Sequence, residues 1–256
     1  MSDVTRAEYC AIAIADCFAD DGEIMGSPMG LLPTLGARLQ ADQQPTAHDH
    51  RWRGSHPAGG SLGTSNDVVE GWTFRLVLEA VVPFGKRHVM MGATQIDREG
   101  NQNISAIGPW AQPKRQLLGV RGAPGNTVNN KTSYWVPKHS SRIFVEQVDI
   151  VSGVGRNRAE AAGAAATKFH NVHRVVSDLG VFDFNGPNNT MRFVSVHPGV
   201  TVEEVQAASG FEIHADGEVP QTREPSAGEL MLIREMLDPK GLRNREVPPA
   251  EAGASK

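Results

Sequence analysis

Short apolar segments separated by Gly, Pro or Asn residues constrain the fold of this chain more than any other feature of its sequence. Six of them have the length of buried strands: residues 23–25, 88–91, 116–119, 142–146, 174–177 and 191–196. Segments with helical character lie between them, so the pattern predicts an α/β domain and not a β-sandwich. The 256 residues are enough to bury the core of one such domain without disulfides or metals.

Capping boxes mark where three helices begin. They lie at Thr5, Thr201 and Ser226, each of which is followed three residues later by a glutamate. A turn at residues 26–30 leads into a further predicted helix over residues 31–39. We interpret the Arg- and Ala-rich segment 156–167 as a surface excursion and residues 246–256 as a flexible tail.

Charge and hydropathy exclude several classes of partner. A net charge of -4 provides no basic field for nucleic acid or an anionic membrane. No apolar run reaches the ~18 to 20 residues that a membrane span needs, and the polar N-terminus lacks a signal peptide. We therefore expect a cytoplasmic protein. Cys10 and Cys17 lie seven residues apart on a predicted helix, about 10 Å at its rise per residue, which is too far for a disulfide.

A glycine-rich stretch is the strongest candidate for a binding site. Residues 119–127 read GVRGAPGNT and follow a predicted strand. Glycines let a backbone approach a ligand and point N–H groups at an anionic oxygen, which suits a thioester oxyanion or a phosphate. The pattern is not the dinucleotide fingerprint, and it lacks the P-loop lysine. A turn that only reverses the chain would have the same composition.

Other polar residues have two interpretations each. Gln95 and Asn101 are suited either to bind a polar ligand or to fix their own loop. Tyr134 and Trp135 either line a pocket or pack in the core. The histidines of residues 48–56 match no zinc spacing, so no metal site is predicted.

Several strings together resemble the β subunit of class I CoA-transferases. They lie at residues 86–97, 100–105, 119–127, 133–136, 148–153, 175–184 and 197–201. Within that family they are similar to the branch of hydrolases that open a steroid-derived ring. The resemblance implies an open sheet flanked by helices in a single domain of residues 1–245. It also implies an α2β2 assembly with an α subunit, an acyl-CoA substrate that brings coenzyme A, and no permanently bound cofactor.

The resemblance also implies roles for individual residues. Ordinary class I transferases carry a nucleophilic glutamate in this subunit. The ring-opening branch lacks it and relies on a glutamate of the α subunit, which assists water in a retro-Claisen cleavage. The resemblance then implies that the catalytic oxyanion donors are Arg121, Gly122 and Asn126. It also implies that the residues in contact with the substrate or CoA are Gln95, Asn101, Gly119, Gly125 and Thr127. Arg121 is also suited to a substrate carboxylate or a CoA phosphate.

Two further functions stay open at this point. A true CoA-transferase of the glutaconate or 3-oxoacid type would form a glutamyl–CoA adduct. Glu70 is the nearest candidate nucleophile, and it falls after the expected position. Alternatively, the chain is a non-catalytic scaffold that completes the pocket of its partner.

Residues 46–66 depart from the family pattern. After Pro45 the family has an apolar strand ending in Thr-Asp-Gly-Glu-Ala, whereas this chain reads His-Asp-His-Arg-Trp-Arg-Gly-Ser at residues 48–55. The charges of that string would lack water inside a sheet. The nucleotides CTCATGATCACCGATGGCGAGGCTC encode Leu-Met-Ile-Thr-Asp-Gly-Glu-Ala in one frame and, two bases later, the string found here. We therefore hypothesise a local frameshift, which resequencing of the coding DNA would test.

Overall fold

The structure, a computed structural model, describes residues 4–22, 25–43 and 86–249. The strands in this part of the chain are Met25–Pro28 (β1), Arg87–Gly92 (β2), Gln95–Ile96 (β3), Gln102–Asn103 (β4), Ala106–Ile107 (β5), Arg115–Gln116 (β6), Lys131–Val136 (β7), Asn171–Ser177 (β8), Gly180–Asp183 (β9) and Arg192–Val196 (β10). Six of them form one sheet in the order β1-β2-β7-β8-β9-β10. The first four of these are parallel, and β9 and β10 continue the sheet antiparallel.

Helices cover the sheet and lead into its strands. They are Arg6–Phe18 (α1), Leu31–Gln43 (α2), Ala123–Asn129 (α3), Arg156–Ala162 (α4), Ala164–Thr167 (α5), Val202–Ala207 (α6) and Ala227–Met231 (α7). All three predicted capping boxes are confirmed at α1, α6 and α7. Among the described helices, none is long and apolar enough to cross a membrane.

The sheet separates two apolar clusters because successive side chains of a strand point to opposite faces. On one face, Met90, Trp135 and Val176 pack with α1 and α2. On the other face, Met91 and Tyr134 of the same strands pack with Ala123 of α3 and with the antiparallel part of the sheet. Tyr134 and Trp135 are therefore core residues.

The predicted secondary structure is confirmed in part. The strands predicted at residues 88–91, 174–177 and 191–196 lie within β2, β8 and β10 or overlap them, and the predicted helix at 31–39 lies in α2. The strand predicted at 142–146 is wrong, because Phe144 forms only an isolated bridge with Ile96 inside a turn.

Two strands are displaced, and β3, β4, β5, β7 and β9 were not predicted. The strand predicted at 116–119 is wrong, since only Arg115–Gln116 pair there, at an exposed edge. The first strand occupies Met25–Pro28, where the sequence indicated a turn, and residues 23–24 lie outside the described part. Of these missed strands, β7 and β9 belong to the main sheet, and β7, which reads KTSYWV, is central. Its small polar residues, Thr132 and Ser133, are buried, and their hydroxyls form hydrogen bonds that the local sequence does not predict.

The beginning of the predicted tail is tied to the body of the domain. The carboxylate of Glu246 accepts hydrogen bonds from the backbone N–H of Leu31 at 2.9 Å and from the indole of Trp135 at 2.9 Å. Val247 is buried beside it. Glu246 thereby caps α2 and satisfies an indole in the central strand. Residues 250–256 lie outside the described part.

Cysteine and histidine side chains behave as core groups. Cys10 and Cys17 are buried and unbridged, as predicted. His197 is buried, with its Nε2 donating to the carbonyl oxygen of Ser177 and its Nδ1 accepting from the hydroxyl of Thr222, both at 2.9 Å. This assignment uses both ring nitrogens and keeps the imidazole neutral.

Buried neutral histidines make the stability of the fold depend on pH. Burial lowers the pKa of His139 to about 3 and that of His197 to about 4, both from 6.5. The unfolded chain binds these protons below about pH 6.5, so the stability is complete above that pH and is lost as the pH falls through the lowered values. The loss for His197 alone amounts to about 3 kcal/mol at ~1.36 kcal/mol per unit of pKa.

Substitution of His197 isolates this effect. His197→Gln is expected to flatten the pH dependence of the unfolding free energy between pH 6.5 and 4, because an amide can keep both hydrogen bonds without titrating. Urea unfolding at a series of pH values measures it. Asp97 acts in the opposite direction, since burial raises its pKa to about 6 and its contribution is lost as the pH rises through that value. An unaltered slope in the variant would contradict the assignment.

Candidate functional site: the turn before helix α3

The candidate site lies on the connection between two neighbouring parallel strands. The chain leaves the carboxyl edge of β2, forms an excursion over residues 93–122, and enters α3, which leads directly into β7. Ligands of open α/β sheets bind outside the carboxyl ends of the parallel strands. The excursion is therefore placed where this fold holds ligands.

The turn before α3 contains backbone strain. Gly119 has a φ of 78°, which suits a glycine, but Arg121 has a φ of 50°. The left-handed region costs a residue with a Cβ roughly 1–2 kcal/mol. Such strain is found at functional sites, where the surrounding structure maintains it. The strain at Arg121 is a reason, independent of composition, to regard this turn as functional.

The same turn leaves backbone donors free. Within the described residues, the N–H groups of Arg121, Gly122 and Gly125 have no hydrogen-bond acceptor, whereas the N–H of Ala123 donates to the carbonyl of Val120 at 3.1 Å. Arg121, Gly122 and Gly125 are exposed. Free N–H groups at the start of a helix can donate to an anionic oxygen.

The backbone conformation and packing of the chain do not explain why two positions of this turn are glycine. Gly122 has a φ of -87°, and Gly125 lies inside α3 without a left-handed φ. A Cβ at Gly125 would meet no atom of the chain within 4 Å, and one at Gly122 would meet only the side chain of Asn126 at 3.7 Å. Neither conformation nor packing requires glycine here. An approach by a group from outside the chain would require it.

Asn126 and Thr127 lie on the inner side of the same helix. The Oδ1 of Asn126 accepts from Nη1 of Arg87 at 2.8 Å, and its Nδ2 contacts the sulfur of Met91 at 3.3 Å. The hydroxyl of Thr127 donates to the carbonyl of Ala123 at 3.0 Å and accepts from the N–H of Val154 at 2.9 Å. These side chains hold α3 against β2 and against the loop after β7.

Gln95 and Asn101 are engaged in a buried polar network. Gln95 donates to Asp149 at 3.1 Å and accepts from Asn103 at 2.7 Å. Asn101 donates to Asp97 at 2.9 Å and accepts from the N–H of Gly155 at 2.9 Å. The structure therefore brings together residues 119–127 but uses Gln95 and Asn101 inside the chain, where they fix the excursion.

Sequence reasoning missed Arg87. Its guanidinium bonds Ser27 at 2.8 Å as well as Asn126, and within the described residues it has no carboxylate partner. Burial lowers its pKa. Because its partners are 60 and 39 residues away in the chain, no local pattern would have identified it.

A Ser–His–Asp chain is present but inaccessible. The Nδ1 of His88 lies 2.6 Å from Asp21, and its Nε2 lies 2.9 Å from the hydroxyl of Ser133. His88 and Ser133 have no exposed surface, and Lys131 pairs with Asp21 at 2.6 Å. A nucleophile must reach its substrate, so this buried Ser–His–Asp arrangement is not a catalytic triad. Its hydrogen bonds join the end of α1 to the sheet. The described residues contain no group of three potential metal ligands, and residues 48–56 lie outside them.

A comparison with models of known protein families matches a part of the chain that contains the excursion. The family model described as Coenzyme A transferase matches residues 61–208, more than half of the chain, and includes the turn before α3. The chain belongs to the coenzyme A transferase family. The predicted fold class, an open α/β sheet flanked by helices, is confirmed for this family member.

Individual relatives of this CoA transferase family member match 93–96% of its length. It is 53% identical over 253 residues to the protein named cholesterol ring-cleaving hydrolase IpdB subunit of Rhodococcus jostii strain RHA1, covering 96% of this chain and 98% of that one. The solved structure of IpdAB from Rhodococcus jostii RHA1 matches with a TM-score of 0.87 and 52% identity, covering 96% and 99%. Glutaconate coenzyme A-transferase from Acidaminococcus fermentans shares the fold, with a TM-score of 0.76 and 23% identity over 93% and 96%.

Proposed function

We propose that the chain is the β-type subunit of a heteromeric enzyme that hydrolyses a carbon–carbon bond of a steroid-derived CoA ester. The full-length similarity to a cholesterol ring-cleaving hydrolase subunit supports this activity. The partner would be an α subunit, in keeping with the matched IpdAB structure, and the family resemblance implies an α2β2 assembly. Coenzyme A would enter as part of the substrate, with no resident cofactor and no nucleic acid or membrane, in the cytoplasm.

The observation that carries this proposal is the exposed turn before α3. Ring opening by a retro-Claisen route has water attack a ring carbonyl, which places negative charge on oxygen before the carbon–carbon bond breaks. The free N–H groups at Gly122 and Gly125 and the strained Arg121 supply donors for such an oxygen. Asn126, held by Arg87, fixes the helix that presents them.

The chemical step would need a base from the other subunit. Residues 100–145, which include the turn before α3, contain no aspartate or glutamate. The family resemblance provides one in a glutamate of the α subunit, which would assist the attacking water. The role of this chain is then to bind the CoA ester and stabilise developing charge.

Co-expression with the neighbouring α-subunit gene tests the proposal. The purified complex is expected to open the ring of a steroid-derived CoA ester by hydrolysis of a carbon–carbon bond, and to form no adduct that hydroxylamine or borohydride traps. Transfer of CoA between an acyl-CoA and a dicarboxylate, with a trappable glutamyl–CoA, would show the transferase instead. Turnover that survives Arg121→Ala and Asn126→Ala in an intact complex would favour the scaffold role.

A further inference from the structure

The excursion between β2 and α3 is unusual in charge. From residue 100 to its end at residue 122, the excursion contains three Lys or Arg residues and no Asp or Glu, in a chain whose net charge is -4. Lys114, Arg115 and Arg121 are exposed, and none of them forms an ion pair or a side-chain hydrogen bond with a described residue. Three unpaired cations on one connection create a positive field.

The tip of the excursion presents an aromatic ring. Strands β5 and β6 form a hairpin in which Ile107 pairs with Arg115. Trp110 lies at its tip and is 72% exposed. The side chain of Lys114 packs beside the same tip, since a Cβ at Gly108 would come within 3.1 Å of its Cγ. An indole that is exposed beside cations suits a planar, anionic ligand.

The hairpin and the turn before α3 are connected by a short segment, residues 117–119. Residues 117 and 118 donate backbone hydrogen bonds to Ser105 and Ile104 and so continue the hairpin. The five residues from Arg115 to Gly119 comprise four steps along the chain, which at strand rise would span at most about 13 Å. The cations of the hairpin are thus only a few residues in the chain from the oxyanion donors, so one elongated ligand could contact both.

We propose that Lys114, Arg115 and Trp110 bind the 3′-phospho-ADP end of the CoA ester whose thioester end lies at the turn before α3. This inference rests on the proposed function and assigns the nucleotide end of the same substrate. Arg115 suits a phosphate through paired N–H donors, and Lys114 through its point charge. Trp110 stacks on the adenine. Asp149, the acid beside this hairpin, is occupied by Gln95 and by the N–H of Gly108.

Calorimetric titration of the assembled complex with CoA, dephospho-CoA and pantetheine tests the assignment. The double variant Lys114→Ala/Arg115→Ala is expected to weaken CoA binding at least tenfold, dephospho-CoA less, and pantetheine not at all. Trp110→Ala is expected to weaken CoA and dephospho-CoA about equally, by roughly tenfold, since loss of stacking on one base has that order of effect.

A matched control removes the same charges elsewhere. Lys240→Ala/Arg245→Ala deletes two exposed cations near Leu242–Arg245, which packs against α1 and α2, and should leave all three affinities unaltered. Equal CoA affinity in wild type and the Lys114/Arg115 variant would overturn the inference. Loss of the α partner with normal CoA affinity in the remaining complex would also overturn it, because these residues would then form a subunit contact. A wild-type complex that binds none of the three probes would refute the proposed function itself.

Discussion

Replacement of Glu8 by alanine is expected to lower the free energy of unfolding by about 3–5 kcal/mol, the range for breaking a buried ion pair on one side. Glu8 has no exposed surface. Its carboxylate accepts from Arg234 at 2.8 Å and from Arg243 at 2.9 Å, and from the backbone N–H of Thr5 at 2.8 Å. Arg243 is itself buried, so the substitution leaves its charge with Asp238 as its remaining carboxylate.

The pKa of Glu8 shows that the site favours the charged carboxylate. Burial raises this pKa, but the hydrogen bonds from Arg234 and Thr5 and the charge of Arg243 outweigh it and lower the value to about 2. The stability from Glu8 is therefore complete above about pH 4.5 and is lost as the pH falls towards 2. Guanidinium unfolding at pH 7 measures it in the ionised state.

Glu204 provides a matched control for Glu8. It occupies the same position of a capping box, at α6, but it is exposed and bonds only its own helix terminus. Glu204→Ala should therefore cost about 1 kcal/mol, the usual effect of losing a cap. Equal losses for the two variants would show that the buried arginines do not contribute.

Enlargement of Gly125 is expected to abolish most of the activity of the assembled enzyme while leaving the fold intact. A leucine there should lower kcat/KM by roughly a hundredfold or more, comparable with loss of an oxyanion donor. It would cover the free N–H groups that the turn before α3 presents. Stability should be unaltered or higher, because the added Cβ meets no atom of the chain and glycine costs a helix up to about 1 kcal/mol.

Gly228 serves as the comparison for Gly125. It lies in the first turn of α7, is exposed, and a Cβ there would meet only Ser226 at 4.0 Å. Gly228→Leu should leave both activity and assembly unaltered. Normal kinetics in Gly125→Leu would remove the turn before α3 from the catalytic site, whatever its strain.

The candidate site was predictable as a segment but not as an arrangement. The composition of residues 119–127 indicated a backbone that could meet an anion, and the structure places that segment at an exposed, strained turn. Gln95 and Asn101 had two interpretations, and their partners Asp149 and Gly155 lie more than fifty residues away. Which side chains face inward depends on such distant partners, so sequence could not separate anchoring from binding.

The fold shows the same division. Capping boxes at Thr5, Thr201 and Ser226 followed from sequence, because each joins groups only three residues apart. The α/β class followed from the alternation of short apolar segments and helices. Strand β7 did not, since its buried Ser133 depends on His88 and its Trp135 on Glu246, contacts that exist only after the sheet has assembled. Interactions between residues a few positions apart can be predicted from the local sequence pattern. The register of the sheet and the hydrogen bonds of its buried polar groups depend instead on contacts between segments that are distant in the chain.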